Sequence, residues 1–163
     1  MRWLKRLEKI IDALTSAGAV IGGAFTGIMT LIVSYAVVAR YVFNRPIGWS
    51  EEIATYLMVW AVFLGAAYTL KEDAHIGVDL LISNLKPGIK RNFLRFHCVM
   101  GAVFFAILFY KGIDMVTLSL KMGSRSMAIE FPLYITQLSV PVGSAILFLQ
   151  CIKKLMALRS EGP

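Results

Sequence analysis

The sequence predicts an all-α integral membrane protein: four transmembrane helices, short interfacial amphipathic helices, and both termini cytoplasmic. Three observations predict it. Hydrophobic residues make up 58% of the 163 and charged ones 17%, with a mean hydropathy of +0.69; soluble domains hold about 45–50% and about 25%. Four apolar runs carry no formal charge, and each is long enough, or nearly so, to cross a hydrocarbon core of about 30 Å. The Lys and Arg that give the net charge of +7 cluster at the ends of those runs, where they set membrane orientation. The length fits one membrane domain, 1–163.

The elements follow in order. Residues 1–12 predict an interfacial helix, with Trp3, Leu4, Leu7, Ile10 and Ile11 on one face and charged residues on the other. Span one is the uncharged run 13–39, too long for a signal peptide, and its small-residue stretch, Ser16 to Ala19, lies at its beginning, whereas a cleavage site would lie at its end. Span two covers 50–70, with Ser50 as N-cap and Glu51 and Glu52 in the first turn, where negative charge suits the helix dipole. A cytoplasmic loop, 71–92, contains an apolar set from Ile76 to Leu85 that predicts a short interfacial helix, ended by Pro87 and Gly88. Span three covers 93–113; its charge-free part, 96–110, crosses if Arg95 and Lys111 snorkel to the two interfaces. Span four covers 131–152, and Pro141 should kink it.

Charge fixes the expected orientation. Arg2, Lys5, Arg6, Lys9, Lys71, Lys86, Lys90, Arg91, Arg95, Lys153, Lys154 and Arg159 fall on the side of the termini, twelve in all. Five lie opposite: Arg40, Arg45, Lys111, Lys121 and Arg125. The excess places both termini in the cytoplasm. Basic residues confined to run ends offer no continuous basic face, which excludes nucleic acid as a partner and leaves membrane lipid as the expected one.

Chemistry is sparse. No Asp, Glu, Lys or Arg falls mid-span, which argues against a proton-coupled exporter or a charge-lined channel. His75 and His97 lie in the loop and at a span rim, so no pair of axial ligands faces across the bilayer and no haem is expected. Cys98 and Cys151 have no neighbouring Cys, and no ligand set has metal spacing. No cofactor, metal or catalytic residue is therefore expected, and no enzyme activity. Span one repeats small residues in steps of four, Gly18 with Gly22 and Gly23 with Gly27. Such stripes let another backbone approach closely, either within this chain, with Ala61 and Gly65 of span two as possible counterparts, or in another subunit.

Taken together, Arg40-Tyr41-Val42-Phe43-Asn44-Arg45, Trp49-Ser50-Glu51-Glu52, Tyr56, Trp60, Phe63-Leu64-Gly65-Ala66-Ala67, His75-Ile76 and Val78-Asp79 resemble the small (Q-type) membrane subunit of TRAP (tripartite ATP-independent periplasmic) transporters. Ser124-Arg125-Ser126, Pro132 and Pro141-Val142-Gly143 extend the resemblance, which spans about residues 15–153. It implies a multi-pass protein of a bacterial or archaeal inner membrane. It also implies a large multi-helix partner that carries the substrate and sodium sites, and a periplasmic substrate-binding protein. The chain itself would be a non-catalytic scaffold, or stator, in sodium-coupled uptake of organic acids. On this resemblance Arg40, Asn44, Trp49, Glu51, Glu52, Trp60, Gly65, His75 and Asp79 are the expected interface or structural residues, joined by Gly22, Gly23 and Gly27 of the small-residue stripes. Two other classes compete: the membrane anchor of an electron-transfer complex, which requires axial His or a quinone pocket, and a self-contained small carrier, which requires a polar path of its own.

Overall fold

The structure, a computed structural model, describes residues 2–72 and 87–160, in five helices. They are α1 (Arg2–Tyr41), α2 (Gly48–Lys71), α3 (Pro87–Met122), α4 (Leu133–Gln137) and α5 (Ser139–Ser160). Four stretches are long and apolar enough to cross a membrane: Glu8–Tyr41, Gly48–Lys71, Asn92–Met122 and Leu133–Leu158. The described residues contain no β-strand, only an isolated bridge between Arg125 and Pro132.

Several boundaries differ from expectation, each for a local reason. The helix over 1–12 does not end before span one, because no Gly or Pro interrupts the chain there, and α1 continues for 40 residues, about 60 Å. Ser50 is not the N-cap of α2. Ile47 holds that position without a side-chain bond, and the Ser50 hydroxyl donates back to the Ile47 carbonyl at 2.8 Å. Pro87 opens α3, which suits a residue with no N–H to satisfy. The interfacial helix expected before it falls within 73–86, outside the described residues.

Span three runs on past residue 113 to Met122. Lys111, about 24 Å along α3 from Arg95, pairs with Asp114 at 3.8 Å on the exposed surface, so it does not end the helix. Span four passes through a turn at Leu138, whose N–H bonds the Tyr134 carbonyl at 3.0 Å and whose carbonyl accepts the Val142 amide at 3.1 Å; Pro141, in the first turn of α5, has no N–H to offer the Gln137 carbonyl.

The helices form a row rather than a closed ring. α1 packs on α2, α2 on α5, and α5 on α3. α5 lies innermost: in an 18-residue apolar window of the span it forms with α4, 39% of residues are buried, against 6% in that of α1 and 11% in that of α3. Its position rests on two close approaches. A Cβ on Gly112 of α3 would lie 2.9 Å from Pro141 Cδ, and one on Gly143 would overlap the Phe63 ring of α2, 2.7 Å from its Cδ1. Ala67, Leu70, Ala102, Leu147 and Cys151 make the adjoining apolar core.

Polar side chains tie the end that holds both termini. Gln150 Nε2 donates to Thr15 Oγ1 at 2.6 Å, Lys71 Nζ to Ser16 Oγ at 2.8 Å, and Lys153 pairs with Asp12. These contacts join α1, α2 and α5 at one level. The opposite end carries the connections 42–47 and 123–132.

Candidate functional site

The loop end gathers most of the motif residues. After Tyr41, the chain turns at Asn44, which adopts a left-handed φ of 51°. That turn lets the Arg45 N–H reach the Ala39 carbonyl at 3.0 Å. Asn tolerates this conformation better than other non-glycine residues. Its place in the motif is therefore explained by backbone geometry. Arg40 reaches across to α2 and pairs with Glu51 at 2.8 Å, both side chains largely exposed. Trp49 stands half-exposed beside them.

Glu51 and Glu52, adjacent in sequence, serve different neighbours. Glu52 points to the far connection. Its Oε1 accepts the Tyr56 hydroxyl at 2.6 Å, and its Oε2 accepts the Ala128 and Ile129 amides at 3.1 and 3.2 Å. One carboxylate thus binds a helix to a loop 76 residues away. The loop is internally braced as well. The Ser126 amide donates to the Phe131 carbonyl at 2.9 Å, the Phe131 amide donates to the Ser126 hydroxyl at 3.0 Å, and the Leu133 amide closes on Ser124. Gly123 and Glu130 have positive φ, and the Phe131 ring lies 5.9 Å from Tyr56. The product is a rigid projection whose tip residue, Met127, is fully exposed.

Glu52 and Tyr56 are four residues apart, so their meeting on one helix face was open to sequence reasoning. The contact with 128–129 was not, because backbone amides leave no signature in residue type.

The two small-residue stripes of α1 separate. Gly22 is buried, and a Cβ there would lie 3.2 Å from the Ala61 carbonyl oxygen and 3.6 Å from the Gly65 nitrogen. Gly18 lies against Leu64. This stripe is a contact within the chain. Gly65 takes part through its backbone; a Cβ on it would meet nothing within 4 Å. Gly23 and Gly27 also meet nothing, and Thr30 and Ser34 continue their exposed line along α1. Trp60 is half-buried within α2. His75 and Asp79 lie outside the described residues.

No three of the described His, Cys, Asp and Glu residues group as metal ligands. The arrangement offers surfaces: a braced projection at the loop end and an open small-residue face on α1.

Comparison with known proteins gives these surfaces a context. The family model described as "Tripartite ATP-independent periplasmic transporters, DctQ component" matches residues 29–160. The chain is 32% identical over 99 residues to a C4-dicarboxylate TRAP transporter small permease protein of Rhodobacter capsulatus, covering 61% of this chain and 44% of that protein. It is 33% identical over 110 residues to the corresponding protein of Vibrio cholerae, covering 68% and 46%. A sialic acid TRAP transporter permease protein of Haemophilus influenzae is 28% identical over 114 residues, covering 66% of this chain and 17% of the relative. The chain thus spans less than half the length of each of these relatives.

Proposed function

The chain belongs to the DctQ component family of tripartite ATP-independent periplasmic transporters, and on that premise we propose that it is the small, non-catalytic permease subunit of a sodium-coupled uptake system for organic acids. It acts as a stator for a large multi-helix membrane subunit in a bacterial or archaeal inner membrane, with both termini cytoplasmic. The named relatives handle C4-dicarboxylates and sialic acid, which are both organic acids.

The observation that carries the reading is the row of helices with one small-residue stripe used and one left open. A self-sufficient carrier closes its helices around a path, whereas here α1 and α3 expose most of their length to whatever surrounds them. Lipid tails supply no hydrophobic drive between membrane helices, so close packing over small residues is the main means of docking. Gly23, Gly27, Thr30 and Ser34 supply that surface on α1. A moving transport domain requires a fixed counterpart, and a broad row with Trp3 and Trp49 near its two ends resists displacement through the bilayer. On the same reading the Met127 projection faces the periplasm and meets the substrate-binding protein.

The test is affinity capture of the tagged chain from gently solubilised membranes, followed by uptake in proteoliposomes. Co-purification of a large many-helix protein, and sodium-driven organic-acid uptake that is lost when this chain is omitted, are expected. Uptake at full rate without the chain overturns the stator role. Recovery of the chain with a haem or flavin protein overturns the transporter assignment.

A further inference from the structure

Lys111 closes a charge-free run in the sequence, but the structure places it and Asp114 well inside the span Asn92–Met122. Two neighbours give their depth. Gly112, between them, packs against α5, where a Cβ on it would lie 2.9 Å from Pro141 Cδ. Pro141 is midway along the charge-free stretch 131–152. Gly143, two residues on, meets the Phe63 ring of α2. The part of α2 between Glu52 and Lys71 is free of charge and rises about 28 Å, close to the roughly 30 Å of a hydrocarbon core. Phe63 stands about 12 Å along that rise from Lys71 and about 16 Å from Glu52. Both neighbours put the Lys111–Asp114 pair within about 5 Å of mid-membrane.

The pair faces outward. Gly112, Val116 and Ser119 are buried against the bundle, and at about 100° per residue Asp114 points the opposite way. The side chains of Lys111 and Asp114 are 69% and 54% exposed. They stand 3.8 Å apart, an ion-pair distance too long for a hydrogen bond. Lys111 also lies over the Tyr110 ring, 5.5 Å from its centre. The Asp114 carboxylate therefore keeps its hydrogen-bonding capacity for whatever lies outside α3.

Lipid tails do not fill that place. They offer no hydrogen bond, and ionisable groups at this depth face protein or water. A Lys can snorkel to an interface. Asp114 has one methylene and lies about 10 Å from the nearer end of the core, so it does not. Ile107 and Leu118, one turn to either side on the same face, are exposed and apolar. A polar spot within an apolar face is the pattern of a contact between membrane helices. A second copy of this chain fits it poorly, because a two-fold axis along the membrane normal sets Asp114 against Asp114 at one depth. In the sialic acid permease protein of Haemophilus influenzae, the stretch similar to this chain is 17% of one polypeptide, so a much longer partner is joined to it copy for copy.

We propose that the outward face of α3 is a contact with the large subunit, in which a membrane helix of that subunit brings a basic or amide side chain to Asp114 at mid-membrane. The inference rests on the small-subunit reading. It adds a polar contact at the opposite end of the helix row from the open glycine stripe of α1.

The experiment uses the full chain together with its large subunit in native membranes, with photoreactive benzoyl-phenylalanine in place of Ile107 or Leu118. Irradiation is expected to join each to the large subunit. Capture of a large subunit with crosslinks only to lipid, or only to a second copy of this chain, overturns the contact and leaves the small-subunit reading standing. Failure of the unaltered chain to capture any large subunit overturns both. A variant with Lys111→Leu and Asp114→Leu should melt no earlier than the unaltered chain when isolated, since both side chains are exposed. Its capture of the large subunit should fall about tenfold, the scale of a hydrogen bond between membrane helices. Asp114→Asn, which still accepts a hydrogen bond, should lose less. An earlier melt of the double variant assigns the pair to the chain's own fold, and full capture by it makes the pair dispensable; either result overturns the contact.

Discussion

Gly18 and Gly22 are covered by α2, whereas Gly23 and Gly27, spaced in the same way on the same helix, face open space. The two stripes are one residue out of step, which turns them about 100° apart around α1. Nothing in residue type separates them. What separates them is that α2 follows through a short connection and must lie against one side of α1. The used stripe shows what the open one is fit for: an approach of backbone to backbone in which a Cβ on Gly22 already lies 3.2 Å from the Ala61 carbonyl oxygen, so that a large side chain would push the helices apart. The same contrast divides the molecule as a whole, with α5 enclosed and α1 exposed.

The largest effect belongs to the enclosed side. Gly143→Leu drives a side chain into the Phe63 ring at a point where even a Cβ overlaps it. We expect destabilisation of about 3 kcal/mol or more, at the top of the overpacking range, read as early unfolding in a detergent melt. A normal melt would mean that α2 and α5 pack less closely than the structure has them.

The paired test on α1 sharpens the contrast. Gly22→Leu should cost about 1–3 kcal/mol by pushing α2 away. Gly27→Leu should leave the isolated chain within about 0.5 kcal/mol, as an exposed substitution does. Capture of the large subunit should nevertheless fall about tenfold or more, because a GxxxG contact admits no side chain at its closest point. Unaltered capture would turn the open stripe into ordinary lipid-facing surface.

At the loop end, Glu52→Gln removes the negative charge that holds the Ala128 and Ile129 amides. Hydrogen exchange at those two amides should quicken about tenfold or more, as for a loop released from its anchor, with the core unchanged. At the other end, Gln150→Leu removes the bond to Thr15 between α5 and α1. Hydrogen bonds between membrane helices contribute about 0.6–2 kcal/mol, so a modest lowering of the melt is expected.

These contrasts also mark what could be read from the chain. The four spans were legible because lipid demands long charge-free runs, and runs are a property of sequence alone. The ends of α3 and α5 were not, because hydropathy records where lipid stops and not where the backbone ladder stops. Thus α3 continues for nine residues beyond the expected end at 113, past the exposed Lys111–Asp114 pair. Pro141 was legible as a perturbation, and the structure adds that it acts on the carbonyl four residues earlier and sits against Gly112. Asn44 came from a resemblance that gave it no physical role, and Glu52 was legible only as a first-turn charge that suits the helix dipole. The roles, a left-handed turn and a brace for a distant loop, depend on contacts that no spacing in the sequence encodes.

The smallest effect separates the neighbours Glu51 and Glu52. Arg40 and Glu51 meet at 2.8 Å, yet their side chains are 49% and 76% exposed. Water and salt screen such a pair, and ordering two long side chains offsets much of the attraction. Arg40→Gln should therefore change the stability of the chain by less than about 0.5 kcal/mol. If the pair serves assembly, the loss appears elsewhere, as weaker capture of the large subunit at low salt that converges with the unaltered chain as ionic strength rises. A melt lowered as far as that of Gln150→Leu would mean that the α1–α2 corner is held by charge. An unchanged melt with unchanged capture would leave the covered glycine stripe as the contact that sets that corner.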